Sequence, residues 1–544
     1  MEVNIMKSKA EWWKSAVAYQ LYPRSFYDTN NDGIGDIKGI IEKLDYLNDG
    51  TENSLGIDAI WLNPVYPSPQ YDFGYDIMDY EGIDPQYGTM ADFDKLLAEA
   101  HKRGIRILMD IVPSVTSHLH PWFIESRSSK DSPKRDWYLW VDGKQGKYPN
   151  KWLGMFGGRA WDWDGKTRQY YYHNSLPEQP DLNWKNPEVA KAVLGAMEFW
   201  LKKGVDGFRV DVLNFSHKDS ELRNNPYCLG IRPYDMQKHI YDRNRPEALE
   251  VGKAMRALAD KYEDKMLVGE IFINDVDEAV KYYGENNDGM HLVFNFAFMH
   301  SKFKASSFKK NIQNWLDVTK DKGWPSYFLS NHDIPRHISR YAKGKWTLAR
   351  AKLAIALLLT LKGTPFIYMG EEIGMLDVKI KKHQLMDSVG KHYFPFHRGR
   401  DRARTPIQWT SEEYAGFSKQ EPWLPVHKDY KEINVEQAER DPNSLLHTYR
   451  KLIWLRKKTE ALGLGEFAFY EKAPKNVLAY FRTTEQETVL VALNMGKQKR
   501  ILSLDADYQR AQVLFSTSGD KQSIDLNKIE LSAYQGLILS LQKA

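Results

Sequence analysis

Three acidic residues stand at the ends of short apolar runs: Asp211 in GVDGFRVDV, Glu270 in LVGEI and Asp333 in LSNHD. A carboxylate inside an apolar run is costly unless it is paired or used, and three at equivalent positions point to use. Two carboxyl groups facing one bond suit a particular chemistry. One attacks the anomeric carbon or activates water, and the other, kept protonated, protonates the leaving oxygen, as glycosidic bond cleavage requires. Arg209 alternates with Asp211, so on a strand both side chains point the same way, and the guanidinium is expected to hold Asp211 ionised. A second constellation, Asp28-Thr29-Asn30-Asn31-Asp32-Gly33-Ile34-Gly35-Asp36, places oxygen ligands at every second residue around a glycine turn. It starts like a calcium-binding hand, but position twelve is Gly39 where a bidentate Glu is needed, so it is not an EF-hand. The remaining alternatives are a loop that binds a divalent cation and an Asx-rich turn without metal.

These residues need elements to hold them. Eight apolar runs read as strands: VAYQLYP, IDAIWLNP, IRILMDIVP, VDGFRVDVL, MLVGEIF, HLVFNF, SYFLSNHD and TPFIYMG. Between them lie amphipathic segments such as ADFDKLLAEAHKRG and PEVAKAVLGAMEFWLKKG, whose apolar residues recur at three- and four-residue steps. Strand–helix alternation predicts a parallel sheet, and eight repeats predict an α/β fold, a closed (β/α)₈ TIM barrel. The competing doubly wound sheet lacks a G-x-G-x-x-G turn after its first strand. Asp211, Glu270 and Asp333 fall on the fourth, fifth and seventh strands, so a barrel brings them to one mouth.

Two gaps are too long for ordinary loops. The expected organisation is a barrel over 1–113, an inserted domain over 114–183, and the rest of the barrel over 184–463 with an irregular stretch after its eighth strand. Period-two runs from FAFYEK onward predict an all-β C-terminal domain over 464–544.

The 544 residues carry 76 Lys and Arg against 72 Asp and Glu, a formal charge of +4, with no long run of one sign. That excludes the electrostatic footprint of a nucleic-acid binder and favours a neutral ligand. The single cysteine, Cys228, forms no internal disulfide. No apolar run approaches the roughly 18 residues of a membrane span, and the N-terminal segment lacks the apolar core of a secretory signal. The expectation is a soluble cytoplasmic protein with no membrane or nucleic-acid partner. Its oligomeric state is not legible.

The motifs WWKSAVAYQLYPRSF, QPDLNW, GFRVDV, VGEI, SNHDIPR, TPFIYMGEEIGM and RTPIQW occur in an order that resembles glycoside hydrolase family 13, the α-amylase family. The resemblance runs over nearly the whole chain and is closest to the α-glucosidases and oligo-1,6-glucosidases. It implies that Asp211 is the nucleophile, Glu270 the general acid/base and Asp333 the transition-state stabiliser, with retention of configuration and no organic cofactor. It further implies that Arg209 and His332 are their neighbours, that Asp72 and Tyr75 hold the non-reducing sugar, and that Arg400 joins them. The family loop after the first strand often holds Ca²⁺ or Mg²⁺. Carried over, the ligands are Asp28, Asn30, Asp32, the Ile34 carbonyl and Asp36, in a structural role.

Two positions bear on specificity. Val212 follows the nucleophile, and valine there accompanies α-1,6 cleavage among relatives, whereas LNFSHKDSELRNNPYC and YDMQKHIYDRNRPE resemble α-1,4-acting ones. Where the family reads D-x-V-x-N-H, this chain has Ser114 for the asparagine and Val115 for the histidine that would contact the sugar's 6-hydroxyl. The implied activity is that of a retaining, exo-acting α-glucosidase on short α-linked oligosaccharides or related α-glycosides. The alternatives are a transglycosylase or isomerase of the trehalose synthase or sucrose isomerase type and a catalytically silent sugar-binding protein.

Overall fold

The computed structural model describes residues 11–320, 322–505, 507–519 and 524–543. Eight parallel strands form the centre: β1 (Ala18–Leu21), β2 (Ala59–Leu62), β3 (Arg106–Ile111), β7 (Gly207–Val210), β8 (Met266–Gly269), β9 (Leu292–Val293), β10 (Ser326–Phe328) and β11 (Thr364–Tyr368). Between β3 and β7 lie β4 (Trp140–Asp142), β5 (Trp161–Asp164) and β6 (Gln169–Tyr172). The parallel strands follow one another in the order β10-β11-β1-β2-β3-β7-β8-β9. Across the β9/β10 seam the Ser326 hydroxyl donates to the Val293 carbonyl at 2.7 Å.

Register decides which side chains meet inside. Asp110 lies opposite Arg209, and Arg209 opposite Val268, so alternate residues of β3, β7 and β8 share one level of the interior. The barrel interior is filled by Ala18, Trp61, Leu108, Met266, Phe294 and Phe366. Gly207 is required where β7 enters: its φ is +154°, and a Cβ would come 1.9 Å from the Met266 carbonyl oxygen.

Two of the surrounding helices start and stop at residues whose types mark helix ends. Thr89 caps the helix Met90–Lys102 in a reciprocal capping box with Asp92. The helix Pro187–Lys203 has Asn186 as its cap, proline at its first position and left-handed Gly204 at its end. The most apolar run, LAIALLLT, belongs to the helix Thr347–Thr360, packed in the core. Among the described residues no helix is long and apolar enough to cross a membrane.

The sheet β4-β6-β5 is antiparallel and built around Trp152, Trp161, Tyr170 and Tyr172. It is tied to the loop after β7 by the Trp152 indole on the Arg223 carbonyl and by the buried ion pair Lys218–Asp181 at 2.5 Å. Among the described residues the C-terminal part carries seven strands. β12 (Glu466–Phe469), β13 (Val477–Thr483), β14 (Thr488–Asn494), β16 (Tyr508–Ser516) and β18 (Gly536–Lys543) form one sheet, and β15 (Arg500–Leu502) pairs with β17 (Ile529–Leu531). β17 is three residues long, with Glu530 at its centre, too short for a period-two signal. Fully buried Arg482 joins this part to the barrel by donating to the carbonyls of Thr360, Leu462 and Gly465.

Candidate active site

Arg209 is the hub. Its Nη1 donates to Asp110 at 2.5 Å and to Asp211 at 2.6 Å, and its Nη2 lies 2.6 Å from Glu270. The guanidinium is wholly buried, lying over the rings of Trp61 and Tyr75. The Trp61 indole and the Tyr75 hydroxyl both donate to the second oxygen of Asp110, at 3.0 and 2.9 Å. Tyr75 in turn stacks on His332, with ring centres 5.4 Å apart and planes 3° from parallel. The Gln20 amide holds the His332 ring at 2.7 Å.

A second arginine pair organises the opposite wall. Arg404 donates to Asp333 at 2.7 Å and to the His332 carbonyl at 2.9 Å. Arg400 reaches Asp333 at 3.3 Å and both Asp72 and Asp387 at 2.7 Å, while its head lies over Phe156. The Gln179 amide completes the hold on Asp72 at 3.2 Å. The structure thus brings Asp72, Tyr75, Arg209, Asp211, Glu270, His332, Asp333 and Arg400 together. All but fully buried Arg209 line one cavity of about 360 Å³ at the strands' C-terminal ends.

Burial pushes Asp211 and Glu270 above the ordinary carboxylate range, and the pull of Arg209 does not outweigh it. Arg209 does pull Asp211 down, in the expected direction, but one guanidinium is shared among the three buried carboxyls of Asp110, Asp211 and Glu270, and burial outweighs its pull. Asp333 behaves oppositely: burial would raise it, but His332 when charged, Arg400 and Arg404 hold it below the usual range. Since burial keeps His332 itself neutral, the arginines carry that effect near neutral pH.

Val115 and Ser114 also line the cavity, and the Ser114 hydroxyl is buried with no hydrogen-bond partner. His118 is not among the lining residues; it lies against Tyr71 instead. Val212 lines the cavity with φ at +28°, a backbone conformation that a β-branched residue rarely adopts. Asp110, Arg404, Asp387 and Gln179 were absent from the sequence reading of the site. Asp110 alternates to the interior of its run as Arg209 does, and Arg404 repeats Arg400 within GRDRARTPIQW. Asp387 lies in an irregular stretch with no local signal.

The loop 28–36 is apart from this cavity. Asp28 accepts the amides of Asn31 and Gly33, Asn30 that of Asp32, Asp32 that of Ile34, and Asp36 those of Thr29 and Gly39. Asp36 thereby caps the helix Ile37–Glu42. Among the described residues no three His, Cys, Asp or Glu side chains are gathered as metal ligands are.

The alpha-amylase catalytic domain model matches residues 20–465, and that of the alpha-amylase SusG C-terminal domain matches 477–538. A probable alpha-glucosidase of Rhizobium meliloti is 42% identical over 91% of both chains. An oligo-1,6-glucosidase of Parageobacillus thermoglucosidasius is 40% identical over 98% of this chain and 99% of its own. Among solved structures, an alpha-glucosyl transfer enzyme superposes with a TM-score of 0.92 at 37% identity, over 98% of this chain and 100% of that one. With carboxyls on consecutive barrel strands around one buried arginine, and with these matches along its length, the chain belongs to the α-amylase family of glycoside hydrolases.

Proposed function

We propose that the protein is a retaining, exo-acting α-glucosidase of short α-linked oligosaccharides or related α-glycosides, with Asp211 as nucleophile and Glu270 as general acid/base. The observation that carries this is the placement of both carboxyls on the two terminal nitrogens of Arg209, in the wall of a cavity that the Asp72–Arg400 pair also lines. Glu270 delivers its proton to the glycosidic oxygen as that bond breaks, and Asp211 forms a bond to the anomeric carbon. The ionised Glu270 then takes a proton from water, whose oxygen displaces Asp211 with overall retention. Asp333, held ionised by Arg400 and Arg404, stabilises the positive charge that grows on the sugar ring in both steps. Asp72, Tyr75, His332 and Arg400 bind the non-reducing sugar, and Val115 and Val212 shape its surroundings.

A panel of α-linked disaccharides followed by NMR tests this reading: the first-formed glucose is the α-anomer, and the β-anomer would overturn it. A second reading, transfer of the glycosyl group to a sugar, uses the same intermediate and is favoured by the likeness to an alpha-glucosyl transfer enzyme. Product analysis on maltose, isomaltose and sucrose separates the two. A silent sugar-binding role is disfavoured because all three carboxyls stand in the cavity wall.

We also propose that loop 28–36 takes a structural Ca²⁺ or Mg²⁺ through Asp28, Asn30, Asp32, the Ile34 carbonyl and Asp36. The set fits a hard cation in kind: every donor is oxygen, and the Asp28 and Asp32 carboxylate oxygens, each accepting one hydrogen bond, keep a further lone pair, while Asp36 is held by Thr29 and Gly39. The same reading makes the protein cytoplasmic, supported by its single cysteine, which is unpaired.

A further inference from the structure

A second cavity, about 860 Å³ in volume, draws on the same stretches of chain as the first but shares none of its lining residues. Ile334, His397 and Arg400 line the first, whereas Pro335, Arg398 and Arg402 line the second. Its charge is one-sided. Arg340, Lys379, Lys381, Arg398, Arg402 and Lys428 stand in its lining with a single carboxylate, Asp377. That is a surplus of five cations in one cavity, where the whole chain has a surplus of four, so the even overall charge hides a strong local field.

Little of this charge is neutralised from within. Lys379, Arg398 and Lys428 are exposed, and their side chains make no hydrogen bond or ion pair among the described residues. Arg340 spends its guanidinium on the carbonyls of Pro335, Met299 and Leu329, which fixes its position and leaves its charge uncompensated. Arg402 lies 3.8 Å from Asp377, and its Nε is buried with no hydrogen-bond partner. Asp377 itself already accepts the Arg336 amide at 2.9 Å. Lysines scattered over a convex surface need no ligand, but like charges gathered round a concavity repel one another and focus the potential on an anion.

The rest of the lining is apolar. Leu376, Pro425 and Val426 are half-buried, and Val378 and Ile380 are buried. Cavities of roughly 300–1,000 Å³ take molecules of drug size, so a single phosphate ion leaves most of this one unfilled. We propose that the cavity is a second, non-catalytic binding site, for a small organic diphosphate. Its cations take the phosphate oxygens, and its apolar lining takes the body on which the diphosphate is carried. Guanidinium groups match phosphate oxygens two at a time, and ammonium groups add point charges beside them. An aliphatic diphosphate and a nucleoside diphosphate share this chemistry. The site does not depend on the catalytic reading, because the two cavities have no residue in common.

The test is calorimetric binding of isopentenyl diphosphate, ADP and pyrophosphate to the full chain. A triple variant, Lys379→Ala with Arg398→Ala and Lys428→Ala, is compared with a control, Lys166→Ala with Lys310→Ala and Lys497→Ala. The control removes three exposed lysines elsewhere that likewise have no partner among the described residues. Neither set of side chains holds another part of the fold, so both variants are expected to keep the natural Tm. An exposed charge contact contributes up to about fivefold to affinity, and loss of three is expected to raise Kd at least about tenfold, against less than about threefold in the control. The tighter-binding of the two organic diphosphates is expected to exceed pyrophosphate by at least about fourfold, the contribution of one methylene leaving water, and its identity names the source. Absence of saturable binding by either organic diphosphate, or an equal loss of affinity in the two variants, overturns the site. Pyrophosphate binding as tightly as both overturns the assignment of an organic body.

Discussion

Restoring histidine at position 115 tests how the pocket reads its sugar. Val115 is 6% exposed and lines the cavity. Its backbone is fixed by the Tyr80 hydroxyl on its carbonyl at 2.9 Å and by an antiparallel bridge to Asp181, so Val115→His changes the side chain in an unchanged frame. By the family resemblance an imidazole here contacts the 6-hydroxyl, and a buried hydroxyl without a partner costs about 1–3 kcal/mol. At about 1.4 kcal/mol per factor of ten, that is roughly five- to 150-fold in kcat/KM. The assay compares matched aryl α-glucoside, α-xyloside and 6-deoxyglucoside, the last two lacking the hydroxyl. Val115→His is expected to raise the ratio of glucoside to xyloside by at least about fivefold, the lower end of that range. The unpartnered Ser114 hydroxyl offers a competing contact. If it already serves the 6-position, Val115→His leaves the ratio unchanged and Ser114→Ala lowers it, and the reasoning about Val115 is refuted.

Because burial raises Glu270, its protonated form persists above the range of an ordinary carboxylic acid, and activity falls on the alkaline side only as Glu270 loses its proton. With an aryl substrate that needs no leaving-group protonation, Glu270→Gln is expected to lose that alkaline limb; an unchanged limb in the kcat/KM profile contradicts the assignment. Arg404→Met strips Asp333 of a charge-assisted hydrogen bond worth about 1.5–3 kcal/mol, so kcat/KM is expected to fall roughly ten- to 150-fold. A larger rise in KM for Arg400→Met than for Arg404→Met, with kcat little changed, would assign Arg400 to sugar binding. Loop 28–36 is checked by thermal unfolding: a cation held by the folded state alone at 100 times its dissociation constant adds about 2.7 kcal/mol. EDTA should therefore lower Tm and added Ca²⁺ or Mg²⁺ restore it. An unchanged Tm together with no metal by elemental analysis makes the loop an Asx turn.

The barrel was legible because each of its strands is a short run of buried residues bounded by turn residues, as in AIWL and RILMDI. The three carboxyls were legible for the same reason, since a charge at the end of such a run has to be explained. What was hidden depends on pairing across distance. Asp110 reads as an ordinary member of IRILMDIVP until register sets it opposite Arg209. That pairing turns a private ion pair of Arg209 and Asp211 into a shared hub, while burial, which no single residue of the run announces, is what raises Asp211. Asp387 meets Arg400 only because an irregular stretch folds back over the cavity, and no periodicity marks such a stretch. The φ of Val212 is likewise a property of the turn after β7, which nothing in its apolar neighbours announces.

The most direct test is to trap the covalent intermediate. Reaction of the Glu270→Gln variant with an activated α-glucosyl donor lets the first step proceed while the second, which needs the base, is slowed. Proteolysis and mass spectrometry of the quenched protein should find one hexosyl unit on the peptide that contains Asp211, and none in the Glu270→Gln/Asp211→Asn double variant. An adduct on another peptide, or turnover of the donor by the natural enzyme with inversion at the anomeric carbon, would contradict the assignment of Asp211 as nucleophile.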